Sequence, residues 1–219
     1  MVTIWKFRFL ALLSAVFIGG VALANLIADF RRPMPPPFPV GSQVSPTAEQ
    51  LSSAAQAAAV APFRSDLLAD NALAVAAQML KSGVKGQQEK QNTENAVKAA
   101  LRIAPHQSRM WLLLALVQAS GNSADPLIAE SFKMSYLTGP NQAEIIPIRL
   151  SAVTANNALR DSDLGDLALS DVRTLLTQLR DKRETLATDY AGASEVGKKF
   201  LEQSVSVVDP GFSDKLRKK

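Results

Sequence analysis

Few residue types able to do chemistry occur in this chain, and they are poorly spaced for it. There is one histidine, His106, and no cysteine. Disulfides, thiolate metal sites and cysteine nucleophiles are therefore excluded, and zinc or non-haem iron lacks a ligand set. His106 follows Pro105 and has no nucleophile spaced to use it, so it reads as a surface or capping residue. The acidic run Asp161, Asp163, Asp166 and Asp171 suggests calcium, because DSDLGD alternates carboxylates. No bidentate glutamate follows at the EF-hand distance, and helix N-caps and first-turn acids account for these aspartates more simply. The glycine pair Gly83 and Gly86 (GVKG) lacks both the Gly-Lys-Ser/Thr order of a phosphate loop and a preceding strand. The expectation is a protein with no catalytic residue, cofactor or metal: a binding protein and not an enzyme.

The elements that would position any binding residues are helices. Of the 219 residues, 47% are hydrophobic but only 6% aromatic, and alanine and leucine carry the apolar content. That mix favours helices packed closely through small side chains. The net charge of +4 sits at the ends. Residues 1–45 and the last six each carry +3, which leaves the body at −2. The body therefore has no concentrated basic face of the kind nucleic-acid binding needs. The basic tail, residues 213–219 ending in Arg217-Lys218-Lys219, should be solvated, or bind anionic lipid or an acidic partner.

Lys6 and Arg8 precede an apolar run from Phe9 to Ile27, broken only by Ser14 and Asn25. As a helix it spans roughly 28 Å, close to the hydrocarbon core of a bilayer. Two readings stay open. Ala22-Leu23-Ala24 resembles the cleavage site of a signal peptide. The run's length, its continuation through Ile27 and the following Arg31-Arg32 favour a retained anchor (residues 1–30). The basic start keeps the N terminus cytoplasmic, which puts the body across the membrane, in the periplasm of a bacterium. Residues 31–46 include PMPPPFP, with proline at five of seven positions, and should form a semi-rigid polyproline spacer.

From residue 47 to 212 helix punctuation is dense, and no segment alternates like a strand. Ser45-Pro46, Ser65, Ser108, Asp125-Pro126, an Asn141–Glu144 capping box, Asp163 or Ser170, and Ser194 are expected to open helices. A helix from about Thr93 to Ile103 joins these, and Gln87–Asn92 should be loop or a frayed turn. Pro62, Gly83, Pro105, Gly121 and Gly139-Pro140 should close helices. The fold class is thus all-α, with about seven or eight helices after the apolar segment. The stretch Met110 to Ala119 is apolar on nearly every side and should lie at the centre.

Within this pattern, Ala96, Ala100, Ile103 and Pro105 are followed by Trp111, Leu114 and Ala115. Pro140 lies 35 residues after Pro105, and Ile146 six after Pro140. Leu127, Ala129 and Phe132 fall between the two prolines. This spacing resembles the tetratricopeptide repeat, whose period is 34 and whose second helix ends near a proline. The resemblance covers about 60 residues. Ala115 stands where the family carries glycine, and Gln118 where it carries tyrosine. It implies stacked helical hairpins that bind a protein or peptide on their inner curve, without covalent chemistry. The helix positions Arg109, Leu113, Gln118, Arg149 and Asn156 then become the expected partner-binding residues. The expected function is a membrane-anchored scaffold in the cell envelope, as in polysaccharide export or cytochrome maturation. The alternative is an accessory subunit that uses its transmembrane helix as an interface.

Overall fold

The computed structural model describes residues 2–34, 37–39, 45–84, 86–120 and 126–216, with side chains from Trp5 onward. The described residues form α-helices and no strand. The first, α1 (Val2–Arg31), is long and apolar enough to cross a membrane, and its apolar window is unburied. The same features suit a signal sequence.

α2 (Ala48–Val60) begins at Thr47, not at Ser45-Pro46. The Thr47 hydroxyl accepts from the Gln50 amide, while the Gln50 side chain accepts from the Thr47 amide, a reciprocal cap. α3 (Ser65–Ser82) ends at Gly83, whose φ of 73° is the left-handed conformation that glycine adopts cheaply. α4 (Gln87–Ile103) includes the polar run expected to be loop. Its core stripe of Thr93, Val97, Ala100 and Leu101 is enough to hold it, and Gln88–Asn92 and Gln91–Asn95 bonds span its outer turns. Ile103 is 44% exposed, so the buried face is rotated from the one expected.

α5 (Ser108–Ala119) is largely interior, as its apolar run Met110–Val117 requires. Ser108 does not cap it. The Ser108 hydroxyl instead donates to the Ser135 carbonyl, 3.0 Å away, near the end of α6 (Pro126–Thr138). That contact closes α5 and α6 as an antiparallel hairpin. α6 buries Ile128, Phe132 and Tyr136, whereas Leu127 is 56% exposed. α3 with α4, and α5 with α6, form the most extensive helix pairings. Lys90 at the start of α4 donates to the Gln118 carbonyl at the end of α5, which joins the two hairpins.

The remaining helices pack less regularly. α7 (Ile146–Ala155) starts at Ile146, and no Asn141–Glu144 box forms. Pro147 explains this: its ring and missing N–H are tolerated only in a first turn. A 3₁₀ turn (Asn157–Arg160) leads to α8 (Ser162–Thr177), capped by Asp161. The helix stops at residues 178–184, so Leu186 belongs to a separate α9 (Thr185–Gly192) and not to the helix opened near Asp163 or Ser170. Ser194 caps α10 (Glu195–Val208) as expected. At Gly197 a side-chain carbon would collide with the Thr154 carbonyl oxygen, so glycine lets α10 lie on the end of α7. A last helix, α11 (Pro210–Leu216), buries Phe212 and Leu216, so the folded body runs past the expected boundary at 212.

The described part of the linker packs on the body instead of holding it off α1. α1 and α2 run antiparallel and in contact: Ala28 is fully buried with Ala57, Ala61 and Leu67, and Arg31 donates to the Gln56 side chain. Five charged residues tie the junction together. Arg32 bonds Asp70 (2.7 Å) and Asp66 (3.0 Å), and Arg64 bonds Asp29 and Asp66, both at 2.6 Å. Phe38 is buried in the main core, which a free polyproline spacer would not allow. Small alanines at the crossing let the helices approach closely, and oppositely charged ends then meet. Linker residues 35–36 and 40–44, and residues 217–219 of the expected basic tail 213–219, lie outside the described residues, as do Gly121 and Asp125.

Candidate functional site

The inner faces of α3, α5 and α7 border two clefts that share one residue, Arg109. The larger, about 280 Å³, lies between α3 and α5 and is lined by Asp66, Asp70, Leu73, His106, Arg109 and Gln142 among others. The second, about 220 Å³, lies between α5 and α7 against Phe38, Arg109, Leu112, Glu144, Ile145 and Ile148. Phe38 occupies the groove from the chain's own linker, with the Arg109 guanidinium 5.7 Å from its ring centre, a cation–π distance.

The electrostatics of the larger cleft are mixed. Burial pushes the Asp70 carboxyl above its ordinary value, although the Arg32 hydrogen bond opposes this. The hydrogen bond from Arg64 holds Asp66 below its ordinary value. Two carboxylates and one exposed arginine thus face a partly apolar wall. That arrangement suits recognition of an extended segment carrying polar and apolar side chains.

The structure does not bring the other expected binding residues to this surface. Leu113 is fully buried in the core. Gln118 is interior, and its side-chain oxygen accepts from the Ser131 hydroxyl at 2.7 Å. Arg149 is also fully buried. Its Nε and Nη2 hold Asp171 at 2.9 and 2.8 Å, and its remaining donors reach the carbonyls of Ser135, Gly139 and Pro140. Half-buried Asn156 caps the 3₁₀ turn through the Ala158 amide. Of the five, Arg109 alone lines either of these two clefts. Repeat spacing locates a helix position but not what covers it, and here α5 is enclosed by neighbours while α8 closes over Arg149.

Two aspartates of the acidic run, Asp161 and Asp171, are likewise committed to structure. Asp161 accepts from the Leu164 amide (3.0 Å) and pairs with Lys133 (3.1 Å), and the backbone bond, ahead of the lysine, lowers its carboxyl below the ordinary range. No group of three potential metal ligands occurs among the described residues. Phe38 and the Asp29–Arg64–Asp66–Arg32–Asp70 network were missed from sequence. The available signals were an aromatic flanked by prolines and an arginine two residues before an aspartate. No protein family, curated protein or solved structure matches the chain.

Proposed function

We propose that this protein is a membrane-anchored, tetratricopeptide-like scaffold that binds a protein partner in the cell envelope, with its helical body on the periplasmic side of a bacterial inner membrane. The observation that carries this reading is a bilayer-length exposed helix joined directly to paired antiparallel helices with a groove on one face. The repeat-like pairing is supported by Trp111, whose indole N–H donates to the Pro105 carbonyl at 2.7 Å, fastening the end of one hairpin to the start of the next. Arg109 and the Phe38 groove are the partner surface in this reading. The test is co-purification from mild detergent with mass spectrometry on three chains: native, Arg109→Glu, and one with residues 5–20 replaced by an unrelated apolar helix. A stoichiometric partner kept by the helix swap and lost with Arg109→Glu supports the scaffold.

A second reading, an accessory subunit that uses α1 as its interface, is favoured by the ion-paired junction between α1 and the body. It requires the opposite pattern, with the partner lost on the helix swap and kept with Arg109→Glu. Deleting residues 1–45 would not separate the two, because it also removes Arg32 and Phe38 from the body.

A further inference from the structure

We propose that the turn between α2 and α3, Ala61–Arg64, is a lipid-contacting edge in which Phe63 enters the boundary between headgroups and acyl chains beside α1. This rests on α1 being a membrane span. The argument begins with direction. Because α1 and α2 are antiparallel, the contacts move toward the middle of the apolar run as α2 proceeds. Arg31 meets Gln56, then Ala28 meets Ala57 and Ala61, and finally Val21, Ala24 and Asn25 face the α2–α3 turn across a cleft of about 250 Å³. At the helical rise, Val21 lies about 9 Å deeper than Ile27, where the apolar run ends. With Asp29, Arg31 and Arg32 at the headgroups, the turn is level with the upper acyl chains.

The turn's chemistry suits that depth. Val60, Ala61, Pro62 and Phe63 carry no charge, and Phe63 is 84% exposed. An aromatic at this level is the usual interfacial anchor. The one charge, Arg64, turns its guanidinium toward Asp29 and Asp66, the geometry of a side chain reaching back to the polar layer. On the facing helix, Asn25 donates to the Val21 carbonyl at 3.0 Å, so its amide N–H is partly satisfied within α1. The body therefore rests on the bilayer, with its inner groove held at a set height above the surface.

The test uses the absence of native cysteine. Full-length Phe63→Cys and Leu13→Cys chains are labelled with a polarity-sensitive fluorophore. They are reconstituted in phosphatidylethanolamine–phosphatidylglycerol vesicles containing nitroxide lipids labelled near the headgroup or at mid-chain. Since Phe63 is exposed, its replacement leaves the core intact. The expected result at 63 is blue-shifted emission, quenched most by the shallow nitroxide and little by aqueous iodide, with the label at 13 quenched most by the mid-chain nitroxide. Quenching at 63 by iodide, with 13 still in lipid, overturns the proposal and leaves the span standing. Shielding of 63 from both quenchers means that another copy of the chain covers the turn, and also overturns it. An aqueous label at 13 removes the span reading and the proposal with it.

Discussion

Replacing Arg149 by methionine perturbs the most heavily committed polar group in the body. The wild-type guanidinium places two N–H groups on Asp171 and the others on three backbone carbonyls, and it stacks 3.8 Å over the Tyr136 ring. Arg149 and Asp171 are 0% and 1% exposed. Methionine fills much of the volume but leaves a buried carboxylate with no counter-charge. Breaking such a pair from one side costs about 3–5 kcal/mol, a large share of a stability of about 5–15 kcal/mol. Burial already raises the Asp171 carboxyl, and losing the arginine raises it further. A carboxyl whose folded pKa exceeds its unfolded value stabilises fully only below the unfolded value, and that contribution is lost as pH rises through the folded one. The deficit of Arg149→Met should therefore be largest at neutral pH and shrink on acidification toward about pH 4. The double variant Arg149→Met/Asp171→Leu removes the stranded charge and should recover at least about 2 kcal/mol relative to the single variant. The assay is denaturant unfolding in non-ionic detergent, read by Trp111 fluorescence in a Trp5→Phe background. A single variant within about 0.5 kcal/mol of the parent, typical of inert surface changes, or a double variant no better than the single, would refute the reasoning.

Three further outcomes are expected. Asp189 is buried with one carboxylate oxygen unpartnered, and burial pushes it up to about 6. By the same sign its ionisation opposes folding between about pH 4 and 6, so Asp189→Asn should add about 1–3 kcal/mol at pH 7, raise Tm by about 3–8 °C, and flatten that limb of a thermal-melt pH series. Gly197→Ala should cost at least about 2 kcal/mol in the same unfolding assay, because the added carbon meets the Thr154 backbone and not a movable side chain. Phe38→Ala should uncover Leu112, Ile145 and Ile148. A cost of about 1–3 kcal/mol is expected, measured by urea midpoint, and a free spacer would show none.

The legibility of this chain follows the range of the interaction. Capping at Ser194 and closure at Gly83 are local: the Ser194 hydroxyl accepts from the Gly197 amide one turn on, and Gly83 takes a positive φ that few other residues tolerate, so residue type and position were enough to place them. The largely apolar α5 and the bilayer-length α1 were equally plain, because a helix with so little polar face must be enclosed or lie in lipid. The break at residues 178–184 was not, since no glycine or proline marks it. It arises where the chain turns so that Leu186 and Leu201 reach the same core.

The candidate site was less accessible still. Repeat spacing pointed to five positions on helices, yet exposure depends on what lies across from each one. Arg149 looked like a surface charge until Asp171, 22 residues later, met it in the interior. The proline-rich segment promised a spacer, but Phe38 finds its pocket among side chains from α5 and α7. Helix class, the membrane-length run and the local stops were set by the chain's own near neighbours in sequence. Burial of Arg149, docking of α1 on the body and occupation of the groove were decided by the tertiary structure, because each depends on pairing between residues far apart in the chain.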